Sequence, residues 1–100
     1  MGDIVVVLLG VEYETDSLKK QKKNIVSRNK VFGTKKSVGA NEFFKAGQLG
    51  VRPRYQIDVH TCEYNGETLV EINGKKHAVY RTYERTDGFT ELYLEERSGL

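Results

Sequence analysis

Two histidines, one cysteine and one proline in 100 residues leave this chain short of the side chains on which most small-domain chemistry is built. With Cys62 alone, no intramolecular disulfide can form and no cysteine framework can hold zinc, so the chain suits a reducing compartment and synthesis in the cytosol. His60 and Cys62 would share a strand face at i,i+2 spacing and offer two metal ligands. A four-coordinate site needs two more, and neither Cys-x-x-Cys nor His-x3-His occurs. A surface histidine beside a partly buried cysteine is the simpler reading. His77 lies in no motif, and the glycines at 33, 39, 47 and 50 make neither Gly-x-Gly-x-x-Gly nor a Gly-Lys-Ser/Thr loop. Glu84, Glu95 and Glu96 suggest a carboxylate pair only until strand alternation sends Glu95 and Glu96 to opposite faces. The apolar run Ile4 to Leu9 is far shorter than a membrane span and lacks the basic flank and cleavage site of a leader, so it reads as a strand. The expectation is a protein with no catalytic residues, no cofactor, no metal and no membrane segment.

What the chain does have is alternation. Its hydrophobic content of 38% fits one domain over residues 1–100, with no repeat, linker or low-complexity tract, and a chain of this size buries only about 65% of its unfolded surface. Partners are left room to cover the rest. The net charge of +2 hides a gradient: residues 1–50 carry nine basic and five acidic side chains, and residues 51–100 carry seven basic and nine acidic.

Residues 78–96 hold two alternating strands around Asp87-Gly88, preceded by turn signals at Asn65-Gly66 and Asn73-Gly74. Asn-Gly tolerates positive φ at both central positions, so the C-terminal half reads as a β-meander. Upstream, Tyr55, Ile57, Val59 and Thr61 share one face of a half-buried strand that Pro53 introduces. The first strand, about Ile4 to Tyr13, is apolar on both faces. Glu14 to Asn24, with Lys19, Lys20, Lys22 and Lys23, lacks apolar periodicity and is expected to be a mobile solvated loop, contact with DNA or a partner being the functional alternative. Ile25 to Val38 reads as one long bent strand with a bulge or bend at Gly33. Ala40 to Leu49 is the one helical candidate, with Asn41 as N-cap, Gly47 or Gly50 as the stop, and Phe43 and Ala46 on the docking side. The predicted fold is mainly β: a small barrel or sandwich of five to six antiparallel strands with one short helix and long loops. Its core is expected at Val5, Val7, Leu9, Ile57, Val59, Val79, Leu92 and Leu94.

Tyr55, Tyr64, Tyr80, Tyr83 and Tyr93 alongside Arg52, Arg54, Arg81 and Arg85 raise the prospect of a nucleic-acid-binding β-barrel. The carboxylates of Glu84, Asp87, Glu91, Glu95 and Glu96 among those tyrosines repel phosphate, which favours cross-strand packing as their task.

The order of Leu8-Leu9-Gly10, a polar loop, Lys36-Ser37-Val38 through Glu42-Phe43-Phe44-Lys45-Ala46-Gly47 to Pro53, and the Tyr64-Asn65-Gly66 to Glu95-Glu96 meander resembles the phage head-closure proteins. These are also called head-tail adaptor or stopper proteins, of siphophages and prophages. The resemblance spans most of the chain. It implies a small, non-enzymatic β-barrel that forms a ring beneath the portal and adaptor rings, closes the channel after DNA packaging and presents a surface for the tail. It further implies portal, adaptor and tail proteins as partners, contact with packaged DNA, and a place in the virion neck after assembly in the host cytoplasm. The matching channel or inter-subunit loops would carry Lys19, Lys20, Lys22, Lys23, Phe43, Phe44, Arg52 and Arg54.

Overall fold

The computed structural model describes residues 3–15 and 17–97. Among the described residues six strands, β1 (Asp3–Thr15), β2 (Gln21–Lys36), β3 (Pro53–His60), β4 (Leu69–Ile72), β5 (Lys75–Glu84) and β6 (Phe89–Glu95), run antiparallel in the order β1-β2-β3-β6-β5-β4. β1 then pairs with β4 and closes the barrel, which leaves the barrel rather than the sandwich as the architecture. A helix, α1 (Ala40–Gln48), bridges β2 and β3, and a 3-10 turn at Thr61–Glu63 follows β3.

Local chemistry explains the C-terminal meander. Asn73 and Gly74 have φ of 51° and 77°, the paired positive values of a tight hairpin turn, and they join β4 to β5. Gly88 at φ 90° and the Arg85 N–H donating to the Phe89 carbonyl close the β5–β6 turn. Asn65-Gly66 behaves differently. Gly66 has φ 81°, yet β3 pairs with β2 and β6 rather than β4, so this turn carries the chain across the end of the barrel instead of folding a hairpin.

The interior is filled by Val6, Leu8, Val31, Ile57, Val59, Val70, Ile72, Leu92 and Leu94, with Ile4, Tyr55, Tyr64 and Val79 packed against them. The inward face of β1 is therefore Val6 and Leu8, not Val5 and Val7. Val5 is half exposed, opposite the exposed Phe32 of β2. Alternation could not choose between two apolar faces; the pairing of Val6 with Val31 settles it. Leu9 is buried, but in a second, outer cluster with Leu69 and Ala78, flanked by Val7, Val11 and Ile25.

Gly33 makes no bulge. It is buried, and a Cβ there would lie 2.6 Å from the Ile57 Cγ2 methyl, so the glycine lets β2 approach β3. The register shift of this hairpin falls between Gly10 and Val11. β2 meets β3 through three residue pairs, Thr34–Lys36 with Gln56–Asp58, and β1 meets β4 through three, Val7–Leu9 with Leu69–Glu71. The long β1–β2 hairpin is thus held to the four-stranded β3–β6–β5–β4 sheet by two short seams.

Past Gly10 and Ser27 the hairpin continues beyond the barrel as a two-stranded arm, Val11 to Thr15 against Gln21 to Ile25. Five residues of strand reach about 17 Å at about 3.4 Å each. The loop expected over Glu14 to Asn24 is mostly this ribbon: Lys22 faces Glu14 and Lys23 faces Tyr13 across the ladder, and among the described residues there 17–20 lie outside the strands. Apolar periodicity is missing there because neither face is covered, while the backbone ladder and alternating cross-strand charge still specify strand.

Candidate functional site

The register sorts the expected site residues to opposite ends of the barrel. Asp3, Lys36, Pro53, the Asn73-Gly74 turn and Glu95 mark one end; the arm, His60 and the Arg85–Phe89 turn mark the other. Lys19, Lys20, Lys22 and Lys23 belong to the arm, with Lys19 at φ 60° in its turn. Phe43, Phe44, Arg52 and Arg54 belong to the helical segment at the far end.

Helix α1 docks through the smallest side chain it has. Its N-cap is Gly39, not Asn41, with no side-chain cap, and Gly50 at φ 77° follows its last turn. Ala46 is buried, whereas Phe43 and Phe44 are 58% and 69% exposed and Leu49 is more so. Glu42 sets this rotation. Its carboxylate accepts from the Tyr80 hydroxyl at 3.0 Å and from Arg81 Nε and Nη2 at 3.1 and 2.8 Å. A forked ion pair on β5 fixes Glu42, Ala46 at i+4 comes down on the same side, and the two phenylalanines are turned outward. The expectation that Phe43 would dock the helix is overturned on this geometry. Phe43 instead edges a shallow groove with Ile4, Lys35, Lys36, Val38, Arg54 and Tyr55.

From Glu42 a polar network crosses the outer wall of the barrel. Arg81 sits 4.1 Å over the Tyr93 ring, the Tyr93 hydroxyl donates to Glu91, and Glu91 accepts from Arg85. Arg85 Nη1 also donates to Asp58 at 2.9 Å, where Gln56 Nε2 and the Lys36 ammonium converge, the latter at 2.6 Å. Asp58 is only 3% exposed. Burial pushes its carboxyl up, but the donors Lys36, Gln56 and Arg85 outweigh that and hold it below the ordinary value. Burial, then Glu91, pushes the Tyr93 hydroxyl up to about 12, and burial, then the Glu42 carboxylate, raises Tyr80 further. Such groups stay in one protonation state across neutral pH and stiffen the wall. Sequence reasoning missed this network, although Asp58 in the middle of an alternating strand, with Glu91 opposite it on β6 and Arg85 in the turn that leads into β6, is the pattern that announces it.

Inside the barrel, His77 is buried beside Tyr55 in an edge-on contact of 5.6 Å, and its Nδ1 has no hydrogen-bond partner. Burial lowers its pKa below the ordinary 6.5 despite a hydrogen bond with the Lys75 backbone. His60 stacks on Phe89 at 4.6 Å and Cys62 is exposed. Among the described residues no group of three metal-ligating side chains comes together, and no helix is long and apolar enough to cross a membrane.

The described residues present two surfaces: a basic arm at one end, and at the other a helix bearing two exposed phenylalanines beside Arg52 and Arg54. Neither a scan against protein-family models nor a search of curated proteins gave a match to this chain.

Proposed function

We propose that this chain is a phage head-closure protein, a stopper that joins a ring at the head-tail connector, closes the portal channel after packaging and presents a surface to which the tail binds. The observation that carries the reading is the pairing of a closed, rigid barrel with appendages at opposite ends: an arm of about 17 Å and the exposed Phe43 and Phe44 of α1. A ring component stacked between head and tail needs a different contact on each end and a stiff body between them. The family resemblance in the sequence supports the same conclusion. The portal or adaptor ring and the tail would be its partners, and its place the virion neck.

The arm and the Gly39 to Arg54 segment are the parts with reach, so the closing contact is assigned to one of them. Deleting the gene from the phage or prophage that encodes this chain is expected to give capsids that package DNA and lose it, beside separate finished tails. Restoring the gene with the responsible segment shortened should yield folded protein and leaking heads. Filled, infectious particles without the protein would overturn the stopper reading, and stable filled heads with both segments shortened in turn would overturn the gating one.

A further inference from the structure

A concavity of about 1060 Å³ opens at the end opposite the arm and is lined by cations from three separate stretches. Arg52 and Arg54 enter from the start of β3, Lys75 and Lys76 from the start of β5, and Arg97 follows β6. Two carboxylates share the cleft and both are engaged: Glu95 pairs with Arg97, and Glu96 with Lys75 at 2.6 Å. Among the described residues no carboxylate pairs with Arg52, Arg54 or Lys76. Glu96, already held by Lys75, also feels the charge of Arg54 but does not pair with it. Cations gathered on one cleft repel one another, and an anionic ligand relieves that repulsion.

We infer that this cleft binds the phosphodiester backbone of duplex nucleic acid through Arg52, Arg54 and Lys76. The chemistry of its walls selects that ligand. A protein partner is anchored by aromatic or aliphatic side chains in desolvated pockets, and the cleft contains none, Pro53 being its one apolar lining residue. Base stacking needs an open aromatic face, and the nearby Tyr55 ring is already taken by the Lys35 ammonium at 4.1 Å and the Arg54 guanidinium at 5.3 Å. What remains is a wide polar groove edged by the glycines Gly50 and Gly74, where no side chain obstructs a broad polyanion. Such a surface holds phosphates and reads no sequence. The inference rests on the cleft and goes beyond head closure: stable filled heads with both segments shortened in turn, while the native cleft still binds duplex, would count against the loop gate alone.

The test is fluorescence anisotropy of the full chain with a labelled 20-base-pair duplex over a series of salt concentrations. Three phosphate contacts predict a slope of about −2.7 in log K against log salt. The triple variant R52Q/R54Q/K76Q should flatten that slope and lose at least tenfold in affinity at low salt, with its thermal melt checking the fold. Arg52→Gln alone should lower the slope by about 0.9. The arm variant K19Q/K20Q/K22Q/K23Q should retain the cleft's share. Absence of binding by the native chain overturns the inference, as does a triple variant that binds like the native chain. Two further results would also overturn it: binding lost with the arm lysines alone, or polyglutamate competing as well as duplex at equal charge concentration.

Discussion

Leu8 and Tyr13 lie on the same strand and both pair with β2, yet Leu8 is wholly buried and Tyr13 is 64% exposed. Between them β1 leaves the barrel, where β4 covers it from the other side, and enters the arm, where only β2 accompanies it. The ladder alone is enough to make strand; a third strand is what makes core. The same contrast separates stability from reach, since the barrel carries the buried apolar surface and the arm carries lysines, Tyr13 and the exposed Leu18 into solvent.

The largest effect that tests this comparison is a cavity at the center of the barrel. Leu92→Ala should cost about 2 to 5 kcal/mol in urea unfolding, and Leu8→Ala a similar amount. Val5→Ala, one turn of alternation away on the exposed face, should stay within about 0.5 kcal/mol. Equal costs at Leu8 and Val5 would mean that β1 sits in the other register.

A smaller effect comes from protons. His77 has a folded pKa below 6.5, so the unfolded chain binds the extra proton, and stability is complete above that value and declines as pH falls below it. Asp58, also depressed, adds a second loss that begins under its ordinary 3.8. Urea midpoints measured from pH 7.5 to pH 2.5 should show both declines, the upper one vanishing in His77→Phe and the lower one shrinking in Asp58→Asn. A flat profile between pH 7 and 5 in the native chain would place His77 in water.

The smallest effect is expected from the arm itself. Replacing residues 13–23 by Asn-Gly keeps Val11 and Ile25 against Leu9 and should change the unfolding free energy by less than about 1 kcal/mol. A larger loss would show that the ribbon takes part in the barrel's cooperative unit.

Much of the fold was legible. Asn73-Gly74 and Asp87-Gly88 turn where their chemistry demands, and Ile57, Val59, Leu92 and Leu94 fill the interior because their strands have one apolar and one polar face. Val5 to Leu9, apolar on both sides, held no such information, and its facing came from a partner strand more than twenty residues away. The lysine run was misread for a related reason: period-2 alternation of hydrophobicity marks a covered face, and the arm has none. At the candidate surfaces, Arg52 and Arg54 could be picked from sequence, but Lys75, Lys76 and Arg97 could not, since it is the pairing of β6 with both β3 and β5 that brings the starts of those strands beside its end. Phe43 and Phe44 were recognised as notable, yet their exposure depends on Glu42 reaching Arg81 across a gap of 39 residues.

The two three-pair seams that hold the β1–β2 hairpin imply an order of events. β4, β5 and β6 are joined by short turns and can pair as soon as their own hairpins form, whereas Val7 must find Glu71 across most of the chain, a slow step that pays loop-closure entropy before any contact rewards it. Closure at the β1–β4 seam is therefore expected to be the last step in folding and the first to reverse. Weakening it, for instance by Leu69→Ala, should quicken unfolding and leave the folding rate nearly untouched. In the native state the same seam should give up its amide protons ahead of the β3–β6 ladder, so the hairpin swings out as a unit while the four-stranded sheet behind it stays folded.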